Sequence, residues 1–151
     1  FMLSIFSHRS GIVYHTKNLI NFNAMKELIY VFIGGGLGSL VRFLLGKWVN
    51  AFHNSTFPFG TFTINIIACF VLGFIIGLAD HKQLLSPATR LFWAVGFCGG
   101  FSTFSAFTSE SLSLIQQGQN STMLLYVLLS VIVCLTATFG GLFLAERIQL
   151  N

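Results

Sequence analysis

Four long apolar runs, at roughly 28–49, 58–79, 88–114 and 122–145, leave this chain few ways to fold. Each reaches the about 20 consecutive residues that a helix needs to cross a bilayer's hydrocarbon core. The connections between them are short and polar: His53–Thr56, Asp80–Gln83 and Gln116–Ser121. Ser86-Pro87 pairs a capping hydroxyl with proline at the first helical position, so the third helix should begin there. Charged residues make up only 8% of the chain, against about 25% in a soluble domain. The fold class expected is all-α and integral to the membrane: one four-transmembrane-helix bundle over residues 25–151, with no separate soluble domain.

The first 24 residues are polar, mixed and without clear periodicity, and Met25-Lys26 then opens the first apolar run. They read as an extension peripheral to the bundle, with a natural start at Met25. A signal peptide is the competing reading, but the run after residue 26 is too long for a cleaved segment and lacks a cleavage site. The net charge of +4 comes from few groups and forms no basic stripe, so it points to anionic lipid and not to nucleic acid. Lys26, Lys82, Arg90 and Arg147 share one side and Lys47 the other, which favours both termini in the cytoplasm. The three cysteines, Cys69, Cys98 and Cys134, fall inside apolar runs without metal-ligand spacing and read as small reduced residues. Trp48, Trp93 and Tyr126 lie near run ends, as interfacial aromatics do. No nucleotide loop, metalloprotease motif or nucleophile–base pattern suggests an enzyme.

The third run carries the feature that asks for a function. Within Gly96–Phe107, Gly99-Gly100 weakens the helix, and Ser102, Thr103 and Ser105 can bond to a freed backbone. A broken third helix is tolerated at membrane depth only inside protein or beside a wet cavity. Phe104 and Phe107 share a face just past the break. Strain and polarity at that depth read as an ion site.

Each of the other runs carries a stripe with a period of four residues. Gly34, Gly38, Arg42 and Gly46 line the first, where the glycines read as a close-packing seam. Arg42 is an intramembrane cation, either functional or snorkelling to the nearby helix end. The second run carries Thr61, Asn65, Cys69, Gly73 and Gly77; the Asn65 amide suits either a bond to a neighbouring helix or a pore. Tyr126, Ser130, Cys134 and Thr138 in the fourth form a track of donors, although membrane Ser and Thr often bond back to their own helix. Glu110, late in the third run, reads as interfacial or functional. A small hydrated anion could exchange its water for such hydroxyls, the amide and the positive edges of phenylalanine rings.

Residues 26–147 closely resemble the Fluc (CrcB) family of fluoride channels. The likeness rests on Gly34-Gly35-Gly36-Leu37-Gly38-Ser39-Leu40-Val41-Arg42-Phe43, on Gly60-Thr61-Phe62-Thr63-Ile64-Asn65, and above all on Gly96–Phe107. The resemblance implies an antiparallel, dual-topology homodimer in a bacterial-type inner membrane, with two fluoride pores at its interface. It implies a pore formed by Phe104, Phe107, Asn65, Tyr126, Ser130, Cys134 and Thr138, with Arg42 near the aqueous vestibule. It also implies a structural sodium ion (Na+) at the dimer centre, held by the main-chain carbonyls of Gly99 and Ser102. Cys134 and Ala106 stand where the family tends to have hydroxyl residues. A passive fluoride exporter is therefore expected. A proton-coupled exporter of cations or drugs is the alternative; it would want a membrane-embedded carboxylate, whereas Glu27, Asp80, Glu110 and Glu146 read as lying near run ends. A non-transporting scaffold would need neither the break nor the aligned donors.

Overall fold

A computed structural model describes the backbone of residues 2–53, 55–80 and 85–149, and the side chains of 24–53, 55–79 and 85–148. Among these residues four spans are long and apolar enough to cross a membrane: Ala24–Ala51, Phe59–Ala79, Pro87–Gln116 and Asn120–Ile148. The first belongs to helix α1, Met2–Ala51, so the backbone before Met25 is helical rather than irregular. Lys82 and the side chain of Asp80 lie outside the described residues.

Helix α2 is Phe59–Asp80. The third span is broken. Its first half, α3, starts as Pro87–Arg90, with the Ser86 hydroxyl accepting the Thr89 N–H and Pro87 opening the helix as expected. It widens into a π-helical Leu91–Cys98 and closes with an α turn at Gly99–Phe101. The chain then extends at Ser102 (ψ 158°) and Thr103 (φ −149°), and the second half, α4, runs Phe104–Gln116. Asn120–Gln149 is α5. Between them Gly118, at φ 73°, makes a left-handed cap whose N–H reaches the Ile115 carbonyl, while Gln119 N–H reaches that of Leu114.

The break sits three residues later than the adjacent glycines suggested. Gly99 is ordinary helix (φ −64°, ψ −37°), and Gly100 serves close packing: a Cβ there would overlap the Gly35 carbonyl. Thr103 makes the interruption, because its hydroxyl accepts the Ala106 N–H and so caps α4 as a new helix.

Glycines also set the bundle's two tightest seams. A Cβ at Gly38 would meet the Phe97 carbonyl, which seats α1 on α3. A Cβ at Gly73 would meet the Thr138 carbonyl, and one at Gly141 that of Phe70, which seats α2 on α5. Backbones approach this closely only where a side chain is absent, as membrane helices prefer. The buried centre is small: Ile64, Ala68 and Phe101, with Leu45 and Phe97 against them.

Candidate ion groove

The extended pair Ser102-Thr103 leaves backbone groups without helical partners, and α1 and α2 supply them. The Thr103 N–H, which in a continuous helix would point to the Gly99 carbonyl, donates instead to Asn65 Oδ1 at 2.9 Å. The Asn65 amide donates back to the Thr103 carbonyl at 3.3 Å. One side chain thus holds both polar groups of a buried residue and fixes the break. On the other side, the Gly100 carbonyl accepts Arg42 Nε at 3.1 Å and Ser39 Oγ at 3.3 Å. Arg42 is therefore half-buried and bound to the broken helix, not extended toward the helix end.

The break opens onto a groove of about 400 Å3 between α2, α4 and α5. Asn65, Phe104, Phe107, Ser130, Cys134 and Thr138 all line it, so six of the eight residues expected to form a pore meet there. Cys69, Ser102 and Thr103 join them. Cys69 stands on the period-four stripe of the second run but was not among the expected pore residues; its place one turn after Asn65 was the available clue. The Phe104 and Phe107 rings lie 5.6 Å apart, and Phe104 is 77% exposed.

Within the α5 track the hydroxyls differ. Thr138 bonds back to the Cys134 carbonyl at 3.0 Å, as membrane threonines often do. Ser130 does not: its Oγ is buried and has no partner among the described residues. Tyr126 is fully buried against the chain, and its hydroxyl donates to Glu110 Oε2 at 2.8 Å. Its ring lies tilted 5.0 Å from Phe107 and edge-on 5.3 Å from Phe57, and Phe57 continues through Phe59 to His53. An aromatic ladder thus leads from the groove to a second cavity, of about 360 Å3, lined by Asn50, His53, Ser109, Glu110, Ser113 and Gln117 among others.

Glu110, which the sequence left as interfacial or functional, has partners on two other helices. It is half-buried: Oε1 accepts the Thr61 hydroxyl at 2.7 Å and Oε2 that of Tyr126. The carboxylate pins α4 to α2 and α5 at the level of the ladder, with a hydroxyl on each oxygen. Its place near the end of an apolar run did not show this, because both partners come from other helices.

The sodium expectation meets a suitable donor set. The Gly99 carbonyl has lost its helical donor to Asn65, and Gly99 faces open space. Gly99 and Ser102 border a cavity of about 140 Å3 that has no carboxylate in its lining. Neutral oxygens suit a hard monovalent ion. Among the described residues no group of three or more His, Cys, Asp or Glu could hold a metal.

Comparison with known proteins gives a consistent picture. Residues 29–142 match the family described as CrcB-like protein, Camphor Resistance (CrcB). A protein of Flavobacterium psychrophilum named fluoride-specific ion channel FluC is 40% identical over 124 residues, 82% of this chain and 100% of its own. The protein of that name in Bacteroides fragilis is 42% identical over 128 residues, covering 83% and 100%. That of Geobacter metallireducens is 36% identical over 124 residues, covering 82% and 100%.

Proposed function

The chain belongs to the CrcB-like family, and on that premise we propose that it is a fluoride channel, not an enzyme: a passive path that lets fluoride leave the cytoplasm across a bacterial-type inner membrane. The observation that carries this reading is Ser130, a buried hydroxyl on the groove wall with no partner among the described residues. Leaving such a group unpaired costs roughly 1–3 kcal/mol, so its presence makes sense where a passing ligand supplies the bond.

Fluoride is small and tightly hydrated, and it crosses by exchanging water for donors. Around Ser130 the groove offers the Cys134 thiol, a weak donor, and the edges of Phe104 and Phe107, where the ring quadrupole is positive. Asn65 has one amide hydrogen committed to Thr103, which leaves the other for an anion. The Thr138 hydroxyl is spent on its own helix and contributes less. Tyr126 acts through its ring, since its hydroxyl is held by Glu110. Arg42 uses Nε to hold the break and keeps its charge as an attraction for anions at the entrance.

A single chain leaves the groove open and Phe104 exposed. A second copy in the opposite orientation would close it and, by symmetry, build a second groove, as an antiparallel homodimer with two pores. Gly99 and Ser102 of each copy would then hold the structural sodium ion, which supplies a fixed positive charge that ties the two breaks together. It lies off the fluoride path.

The test is fluoride efflux from liposomes reconstituted with the full chain, with valinomycin carrying the compensating potassium. Rapid efflux that persists after the pH gradient is collapsed is expected. Efflux that stops with the proton gradient would mark a coupled exporter, and none at all would refute transport.

A further inference from the structure

Two of the three cysteines stand at one level on facing helices. A Cβ at Gly73 would meet the Thr138 carbonyl, and one at Gly77 would meet Leu142 and Ala145, so α2 and α5 run side by side with residue 73 opposite 138. One helical turn earlier on each helix, on the same faces, stand Cys69 and Cys134. Both line the groove. We infer that Cys69 and Cys134 form a two-thiolate site for a soft divalent cation, and that its occupation closes the groove.

The chemistry selects the ion. Binding follows two R–SH + M2+ → RS–M–SR + two H+, with no change of oxidation state. One dication replaces two protons, so the complex is neutral, which a low-dielectric wall tolerates; a monovalent soft ion would leave one net negative charge there. Thiolates prefer soft metals. Zinc would need about four ligands, and among the described residues no third His, Cys, Asp or Glu joins this pair to make a cluster. A linear two-coordinate ion such as Hg2+ fits. Cys98, buried on α3, borders the smaller cavity beside Gly99 together with Cys69, but it does not line the groove where Cys69 and Cys134 meet.

The experiment titrates the purified full chain with Hg2+ and follows the ultraviolet mercury–thiolate band. One tight equivalent per chain is expected, with Zn2+ unable to compete. Cys69→Ser and Cys134→Ser should each lose affinity by at least about 100-fold, and Cys98→Ser should keep it, each variant first shown to be monodisperse. In liposomes Hg2+ should cut fluoride efflux more than about tenfold in the unsubstituted chain and in Cys98→Ser, measured against the same sample without metal. The binding result stands apart from the proposed function, and only the block rests on it; a chain that binds Hg2+ at the pair but never conducts fluoride would sink the function and spare the site. Equal affinity in Cys69→Ser, or loss in Cys98→Ser, would overturn the pair. Tight binding without block would overturn the closure.

Discussion

Asn65→Ala removes the side chain that holds the broken helix open. Thr103 is buried at 9% exposure, and its N–H and carbonyl both bond to the Asn65 amide. An unpaired buried N–H costs about 1–3 kcal/mol. The return bond is long, and interhelical hydrogen bonds in membranes average about 0.6 kcal/mol, so it adds little. The N–H has one nearby alternative, the Gly99 carbonyl, and taking it would make the third helix continuous. A penalty of about 1–3 kcal/mol therefore shifts the broken-to-continuous ratio roughly 5- to 140-fold toward continuous helix. Fluoride efflux should fall by at least tenfold, and amide exchange at Thr103 should change while the α2–α5 seam stays protected. Asn65→Asp separates shape from charge, since it keeps an acceptor for the Thr103 N–H but puts a carboxylate in the groove. It should hold the break and still conduct poorly. Normal efflux in Asn65→Ala, with unchanged exchange at Thr103, would refute the idea that this amide holds the break.

Other substitutions probe the remaining parts. Ser130→Ala should lower efflux about tenfold without loss of thermal stability, because no bond within the chain is lost, whereas Thr138→Val should have a smaller effect on efflux. Equal effects of the two would show that the free hydroxyl has no special role. Gly38→Ala drives a methyl into the Phe97 carbonyl and should cost about 1–3 kcal/mol, read as a lower melting temperature in detergent. Replacing sodium by a large organic cation should weaken dimer assembly and efflux together, by mass action; an unchanged dimer would argue against the ion. A chain starting at Met25 should transport as the longer one does, as the match beginning at residue 29 suggests, and loss of efflux from a properly inserted short chain would count against that.

Spans, their number and their polar stripes were legible in the sequence because hydrocarbon imposes them locally. A backbone that cannot bond to lipid must bond to itself, so length and apolarity suffice to name a spanning helix. The Ser86-Pro87 start and the glycine seams were legible for the same reason: a cap is a contact within one turn, and a missing side chain at Gly38 or Gly73 can serve only close approach. The meeting of six expected residues in one groove followed from period-four stripes that must face inward together. The exact break could not be read, since glycines lower the cost of leaving a helix anywhere nearby. Asn65, 38 residues away from Thr103, chose the place by taking its N–H. Glu110 likewise gained its setting from Thr61 and Tyr126, partners on two other helices. Only the fold could tell Ser130, left without a partner, from Thr138, bonded to its own helix, because a hydroxyl's free valence depends on which neighbours tertiary packing brings within reach.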